Sequence, residues 1–119
     1  MQIRLHNTNG EREVKGDQLA LTISQIAHMA KTNPSIGRVD FYDNDQFYWR
    51  RSQVRLEGLG GRPEEWRLIP CGIEGEGYFT PCDAHEAALI IKLIFMGQPA
   101  SLAAFAACFP HLPFVAKKA

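Results

Sequence analysis

Three features that often point to a protein's function are scarce in this chain: paired cysteines, net charge and long unbroken hydrophobic runs. Cysteine occurs only at Cys71, Cys82 and Cys108, and so odd and scattered a set is not the framework of a disulfide-stabilised secreted domain. The formal net charge is zero, which argues against long-range electrostatic capture of nucleic acid by the molecule as a whole.

The most apolar stretch, residues 87–109, is interrupted by Lys92, Gly97 and Pro99, whereas a membrane-spanning helix needs about 20 mostly apolar residues. Two short buried helices joined by a turn, and no membrane, are therefore expected. The chain begins with alternating polar residues rather than the apolar run of a signal peptide. A cytoplasmic protein with reduced thiols is the corresponding expectation.

The overall composition is that of a folded globular protein. Hydrophobic residues make up 45% of the 119 residues and charged residues 22%, both ordinary proportions. A chain of this length suits one domain, residues 1–119, with a core large enough to need no disulfide, metal or other cofactor.

A β-hairpin is predicted at the start of the chain. Ile3 and Leu5 alternate with polar residues, and Asn9-Gly10 suits a two-residue turn in which both residues take positive φ. This turn would place Leu5 opposite Val14 and His6 opposite Glu13.

The next predicted element is an amphipathic helix. Thr22 and Gln25 have the spacing of a capping box, although Asp17 is an alternative start. Its apolar stripe would be formed by Ile23, Ile26, Ala27 and Ala30. The helix is expected to end at about Thr32, because Pro34 disfavours helical backbone in the residue before it.

The remaining pattern predicts strands over residues 38–80 and helices after them. Short polar turns separate the strand-forming runs, which is typical of antiparallel neighbours. Pro110 and Pro113 are expected to end regular structure. The predicted fold is α+β: an antiparallel sheet of about five or six strands with one N-terminal-half helix and a C-terminal helical pair packed on it.

Aromatic and basic residues mix within residues 47–55, the strongest candidate for a binding surface. Such mixtures bind single-stranded nucleic acid by stacking beside a basic groove, but they also anchor protein interfaces. Strand alternation separates Trp49 and Arg51 from Tyr48 and Arg50, so neither face combines a full aromatic row with a full basic row. The predicted partner-binding residues are Tyr48, Arg50, Arg51 and Arg55.

Two weaker patterns involve cysteine. Cys82 and His85 could act as a nucleophile and its base, because a helix N-terminus favours the thiolate. Catalytic cysteine and histidine are, however, usually distant in sequence. Zinc ligands could be drawn from Cys71, Cys82, His85 and Cys108 or His111, but zinc sites usually show close cysteine pairs. We therefore assign neither catalytic residues nor metal ligands, and interpret Cys71 and Cys108 as small buried hydrophobic residues.

The leading functional hypothesis is a small non-enzymatic binding protein that covers or blocks a macromolecular partner, most simply a protein or protein complex. Inhibitors and the immunity or anti-defence proteins of mobile elements are of this kind, by analogy. One alternative is a nucleic-acid-binding module using the aromatic and arginine residues, and another is a cysteine- or metal-dependent enzyme at Cys82 and His85. Homodimerisation through the apolar C-terminal helices is also left open.

Overall fold

The fold consists of a sheet and three helices, seen in a computed structural model that describes residues 1–42, 53–71, 77–97 and 101–117. Its elements, in chain order, are β1 (Gln2–Asn7), β2 (Gly10–Val14), α1 (Leu19–Thr32), β3 (Ile36–Tyr42), β4 (Gln53–Glu57), a short 3-10 turn (Pro63–Glu65), β5 (Arg67–Pro70), β6 (Gly77–Phe79), α2 (Ala84–Gly97), α3 (Leu102–Cys108) and β7 (Phe114–Ala116).

All strands belong to one antiparallel sheet of order β2-β1-β3-β4-β5-β6-β7. The predicted α+β class is confirmed, but the described residues alone contribute seven strands to the sheet rather than five or six. Pro113 was expected to end regular structure, whereas β7 begins directly after it. Proline lacks only the N–H group, and the Pro113 carbonyl still accepts a hydrogen bond from the Thr80 N–H at 3.0 Å.

The hairpin of β1 and β2 exists, but the predicted register is wrong. Val14 pairs with Ile3, His6 pairs with Glu11, and Asn7 pairs with Gly10, so the turn is formed by Thr8 and Asn9. The side chain of Asn7 accepts a hydrogen bond from the Asn9 N–H at 2.9 Å and closes the turn locally. Gly10, which has a positive φ of 131°, is the first residue of β2 rather than a residue of the turn.

Helix α1 starts earlier than the capping-box prediction and ends where expected. Gln18 occupies the N-cap position, close to the alternative start at Asp17. Thr22 lies inside the first turn, where its hydroxyl donates to the Gln18 carbonyl at 2.9 Å. The predicted end at Thr32 is confirmed, as is the burial of the whole predicted apolar stripe.

The core lies between one face of the sheet and the helices. On the sheet side, Val39, Phe41 and Leu56 are among the residues with no exposed surface. All three helices contribute to the same cluster of buried residues. No described helix covers the opposite face of the sheet.

Helix α2 is less enclosed than its apolar sequence suggests. Leu89 is 47% exposed and Met96 is 82% exposed, whereas Ile90, Ile91 and Ile94 are buried. The described part of α2 extends to Gly97, and a second helix follows as predicted, with the Ser101 hydroxyl accepting a hydrogen bond from the Ala104 N–H. Among the described helices, none alone is long and apolar enough to cross a membrane; α2 and α3 meet that test only together, and they are bent by 113°.

Candidate partner-binding face

Strand alternation places polar side chains on the side of the sheet that faces away from the core. In β3, for example, Val39 and Phe41 point into the core, so Arg38, Asp40 and Tyr42 point to the other side. We call this side the open face. Its charged and ionisable residues are Arg4 and His6 on β1, Glu11 and Glu13 on β2, Arg38 and Asp40 on β3, Arg55 and Glu57 on β4, and Arg67 on β5.

Charges of opposite sign alternate across the strands of the open face. Arg4 pairs with Glu13 on one side and with Asp40 on the other, and Asp40 pairs in turn with Arg55. The neighbouring row has the order Glu11, His6, Arg38, Glu57 and Arg67. Paired strands are roughly 4.8 Å apart, so the sign of the charge changes over about one strand spacing throughout the first row, and throughout the second except between His6 and Arg38.

Asp40 is the centre of this network and has no exposed surface. His6 Nε2 lies 2.7 Å from Asp40 Oδ2, and Arg38 Nε lies 3.5 Å from the same oxygen. Arg55 Nε lies 3.8 Å from the other oxygen, Oδ1. None of these N–H groups is aligned as a hydrogen-bond donor to Asp40. The carboxylate is therefore compensated by surrounding positive charge rather than by directional bonds, a costly arrangement for a buried group.

A second layer of contacts completes the network. Arg4 Nη1 donates a hydrogen bond to Glu11 Oε1 at 2.9 Å, and His6 Nδ1 lies 3.4 Å from Glu11 Oε2. Arg55 Nη1 lies 3.7 Å from Glu57 Oε1. Each ring nitrogen of His6 thus faces a carboxylate, so the ring is placed to link two acidic groups rather than to accept a proton from a substrate.

Tyr42 borders the network on β3. The Arg4 guanidinium lies over its ring, 5.8 Å from the centroid. Burial, followed by the negative charge of Asp40, raises the pKa of the Tyr42 phenol above its ordinary value. The phenol is consequently neutral at physiological pH and acts as a polar edge to the charged region.

The open face changes character over β5, β6 and β7. Tyr78 pairs with Val115, which is 38% exposed. Leu68 pairs with Phe79, and the same antiparallel register places Ile69 beside Tyr78. We call Ile69, Tyr78 and Val115 the apolar strip. The Arg67 guanidinium lies over the Tyr78 ring at 5.0 Å from its centroid, at the border between the strip and the charged rows.

Of the residues predicted to bind a partner, Arg55 lies on the open face in contact with Asp40 and Glu57. Tyr48, Arg50 and Arg51 lie outside the described residues. Sequence reasoning missed Asp40 entirely. Its only sequence signal is an acidic residue between two strand-forming apolar residues, Val39 and Phe41, and this pattern is equally typical of an exposed strand position.

Cys82 lies at the start of α2, where its backbone takes part in a helix cap. Asp83 Oδ1 accepts a hydrogen bond from the Glu86 N–H at 2.8 Å, while Glu86 Oε1 accepts one from the Cys82 N–H at 3.0 Å. These reciprocal bonds cap the helix. Local desolvation, followed by the carboxylates of Glu86 and Asp83, raises the pKa of the Cys82 thiol, which is the opposite of what an activated cysteine needs.

The other two cysteines differ in exposure. Cys71 is half-buried and Cys108 is exposed, so the prediction of burial is wrong for Cys108. Within the described ranges, no three His, Cys, Asp or Glu side chains are grouped closely enough to hold a metal ion.

The open face is therefore the part of the described structure where charged, aromatic and apolar side chains are assembled on one surface. It joins a buried carboxylate, several arginines and the apolar strip. Comparisons of the chain with protein-family models, with curated proteins and with solved structures found no match.

Proposed function

We propose that this chain is a small non-enzymatic protein that binds and covers a macromolecular partner through its open face. The observation that carries the proposal is the combination, on a sheet face that no described helix covers, of the apolar strip with alternating charges. Protein interfaces likewise combine apolar and polar regions, with tyrosine and arginine among the anchors.

The charge pattern favours a protein over a nucleic acid as the partner. A nucleic-acid backbone presents charges of one sign and requires a surface where positive charge accumulates. On the open face, Arg4 is paired with Glu11, while Arg38 and Arg55 share Asp40. Alternating charge instead suits a partner whose own surface carries both signs, and it penalises wrong partners by placing like charges together.

Residues 43–52 are included in the proposed surface through their connection to it. Tyr42 pairs with Gln53 across β3 and β4, so this segment links the two strands that carry Asp40 and Arg55. Tyr48, Arg50 and Arg51 of that segment, together with Arg55, remain our proposed partner-binding residues.

The test combines partner capture with a direct nucleic-acid assay. The partner is captured from native host cells with the wild-type protein, and its affinity is then measured for Arg55→Ala and for the control Arg12→Ala. Arg12 is exposed on β2 and pairs with Leu5, so it points away from the open face. We expect Arg55→Ala to weaken binding about tenfold, which corresponds to a loss of roughly 1.4 kcal/mol of binding free energy. Arg12→Ala should bind the partner as tightly as the wild type does.

Single-stranded DNA and RNA are assayed in parallel over a salt series. Micromolar or tighter binding at physiological salt that is lost in Arg55→Ala would replace the protein-partner proposal with nucleic-acid binding. A partner that binds both alanine variants as tightly as the wild type would show that the open face is not the binding surface. Thermal unfolding of each variant checks that the fold is retained.

A further inference from the structure

We infer that Arg67 and Tyr78 form the anchor of the open face, and that its occupant is a partner-protein segment carrying a carboxylate side chain beside apolar residues. The inference rests on the proposed function and specifies the chemistry of the partner.

Arg67 differs from the other described arginines of the open face in its electrostatic contacts. Arg4, Arg38 and Arg55 each lie within 3.8 Å of a carboxylate oxygen, whereas Arg67 contacts no carboxylate in the described part of the chain. A suitable carboxylate is nevertheless near, because Glu57 is paired directly with Arg67 across β4 and β5. Glu57 Oε1 lies instead 3.7 Å from Arg55, and Arg67 lies over Tyr78.

Contact with Tyr78 holds Arg67 in position to meet a carboxylate. The guanidinium carbon lies over the ring, 5.0 Å from its centroid, and the N–H groups not directed at the ring stay available for a bidentate pair. Because the side chain is already held against the ring, less conformational entropy is lost when a partner binds. Arg67 is also exposed, so a carboxylate can reach it without displacing an existing ion pair.

The apolar strip supplies the second half of the recognition. Ile69 and Tyr78 are half-buried, and Val115 is 38% exposed. A segment whose carboxylate meets Arg67 would lay its neighbouring residues over this strip. Apolar side chains would gain most there, since burial of apolar surface is worth roughly 25 cal/mol per Å².

The probe is a displayed library of random peptides, selected for binding to the intact wild-type protein. We expect enrichment of peptides with Asp or Glu next to bulky apolar residues. For individual synthetic peptides, affinity measured by calorimetry should fall at least about tenfold in Arg67→Ala and remain unchanged in Arg12→Ala. Arg67→Lys should recover only part of the loss, because lysine keeps the charge but not the planar donor pair.

The outcomes separate this inference from the proposed function. Peptides that lose affinity in Arg55→Ala but not in Arg67→Ala would overturn the anchor while supporting the open face. Peptides insensitive to every open-face variant would count against both. Selection of basic peptides, or no enrichment at all, would overturn the acidic-apolar occupant. A wild-type protein that dimerises in sedimentation, with dimerisation lost in Arg67→Ala, would show that the occupant is a second copy.

Discussion

Asp40 and His6 lie 2.7 Å apart on neighbouring strands, on the side of the sheet that faces away from the hydrophobic core. A carboxylate with no exposed surface would be expected inside a pocket. Here its burial comes from the long side chains that surround it on an open sheet face, including Arg38 and Arg55. The sheet consequently has a second organised layer, polar rather than apolar, above its outer surface.

Removal of the Asp40 charge should destabilise the fold. Asp40→Asn preserves the shape of the side chain but leaves Arg38 and Arg55 close together without the carboxylate between them. Loss of one partner from a fully buried ion pair costs about 3–5 kcal/mol. Because these arginines are about a third exposed, solvent screening reduces the expected loss to about 1–3 kcal/mol.

The loss is measured as the free energy of unfolding in urea. Glu13→Gln is the matched control, since Glu13 is exposed on the edge strand β2 and its change should stay within about 0.5 kcal/mol. Equal stability of the two variants would mean that the buried carboxylate of Asp40 contributes nothing to the free energy of unfolding.

Gly10→Val should destabilise the hairpin, and Gly37→Val should not. A Cβ atom at either glycine meets no other atom within 4 Å, so the available space is the same. The positions differ in backbone, because Gly10 has a φ of 131° whereas Gly37, in β3, does not have a positive φ of this kind. We expect Gly10→Val to lower the free energy of unfolding by about 1–3 kcal/mol, as judged from denaturant midpoints. Similar midpoints for both variants would contradict the strained-backbone argument.

Cys82 should react slowly with alkylating reagents. The thiolate is the reactive species, and a raised pKa reduces its fraction at neutral pH. Mass spectrometry of the Cys82 peptide during iodoacetamide treatment should give a rate below that of a small model thiol at pH 7.5, with the difference disappearing at high pH. Glu86→Gln removes one of the raising charges and should increase the neutral-pH rate. Faster alkylation than the model thiol would revive the nucleophile hypothesis.

Cys82→Ala should leave partner binding intact. Its backbone N–H donates a hydrogen bond in the cap at the start of α2, and alanine retains that N–H. The measurement is affinity for the captured partner, with Arg67→Ala as the variant expected to weaken it. Loss of binding in a normally folded Cys82→Ala protein would assign a role to the thiol.

The purified protein should carry no stoichiometric zinc, and chelator should leave its melting temperature unchanged. The described structure contains no group of three possible metal ligands. The donors considered from the sequence were Cys71, Cys82, His85 and Cys108 or His111. Elemental analysis provides the measurement. One zinc per chain, with a lower melting temperature in chelator, would contradict this expectation.

The sequence predicted the features of the fold that depend on neighbouring residues. Strand-forming residues predicted the strands over residues 38–80, and four of those residues, Val39, Phe41, Val54 and Leu56, are fully buried in β3 and β4. The end of α1 followed from the backbone preference before Pro34. These predictions succeed because each depends on one short segment.

The candidate site depends instead on pairings that a single sequence does not specify. Burial of Asp40 requires β1 and β4 on either side of β3, although these strands are far apart in the chain. The hairpin register differs from the predicted one because Asn7, rather than Thr8, is the last residue before the turn. For Arg67, the choice between Glu57 and Tyr78 is decided by side-chain orientations on three strands together.

The charges on β2 also affect how two molecules could meet at the edge of the sheet. This strand lies at one end of the strand order and presents Glu11, Arg12 and Glu13 in succession. If two copies paired antiparallel about Arg12, the two arginines would face each other and each Glu11 would face a Glu13. Like charges directly opposite each other destabilise strand pairing, so this edge resists the growth of one sheet into another, a common route to aggregation.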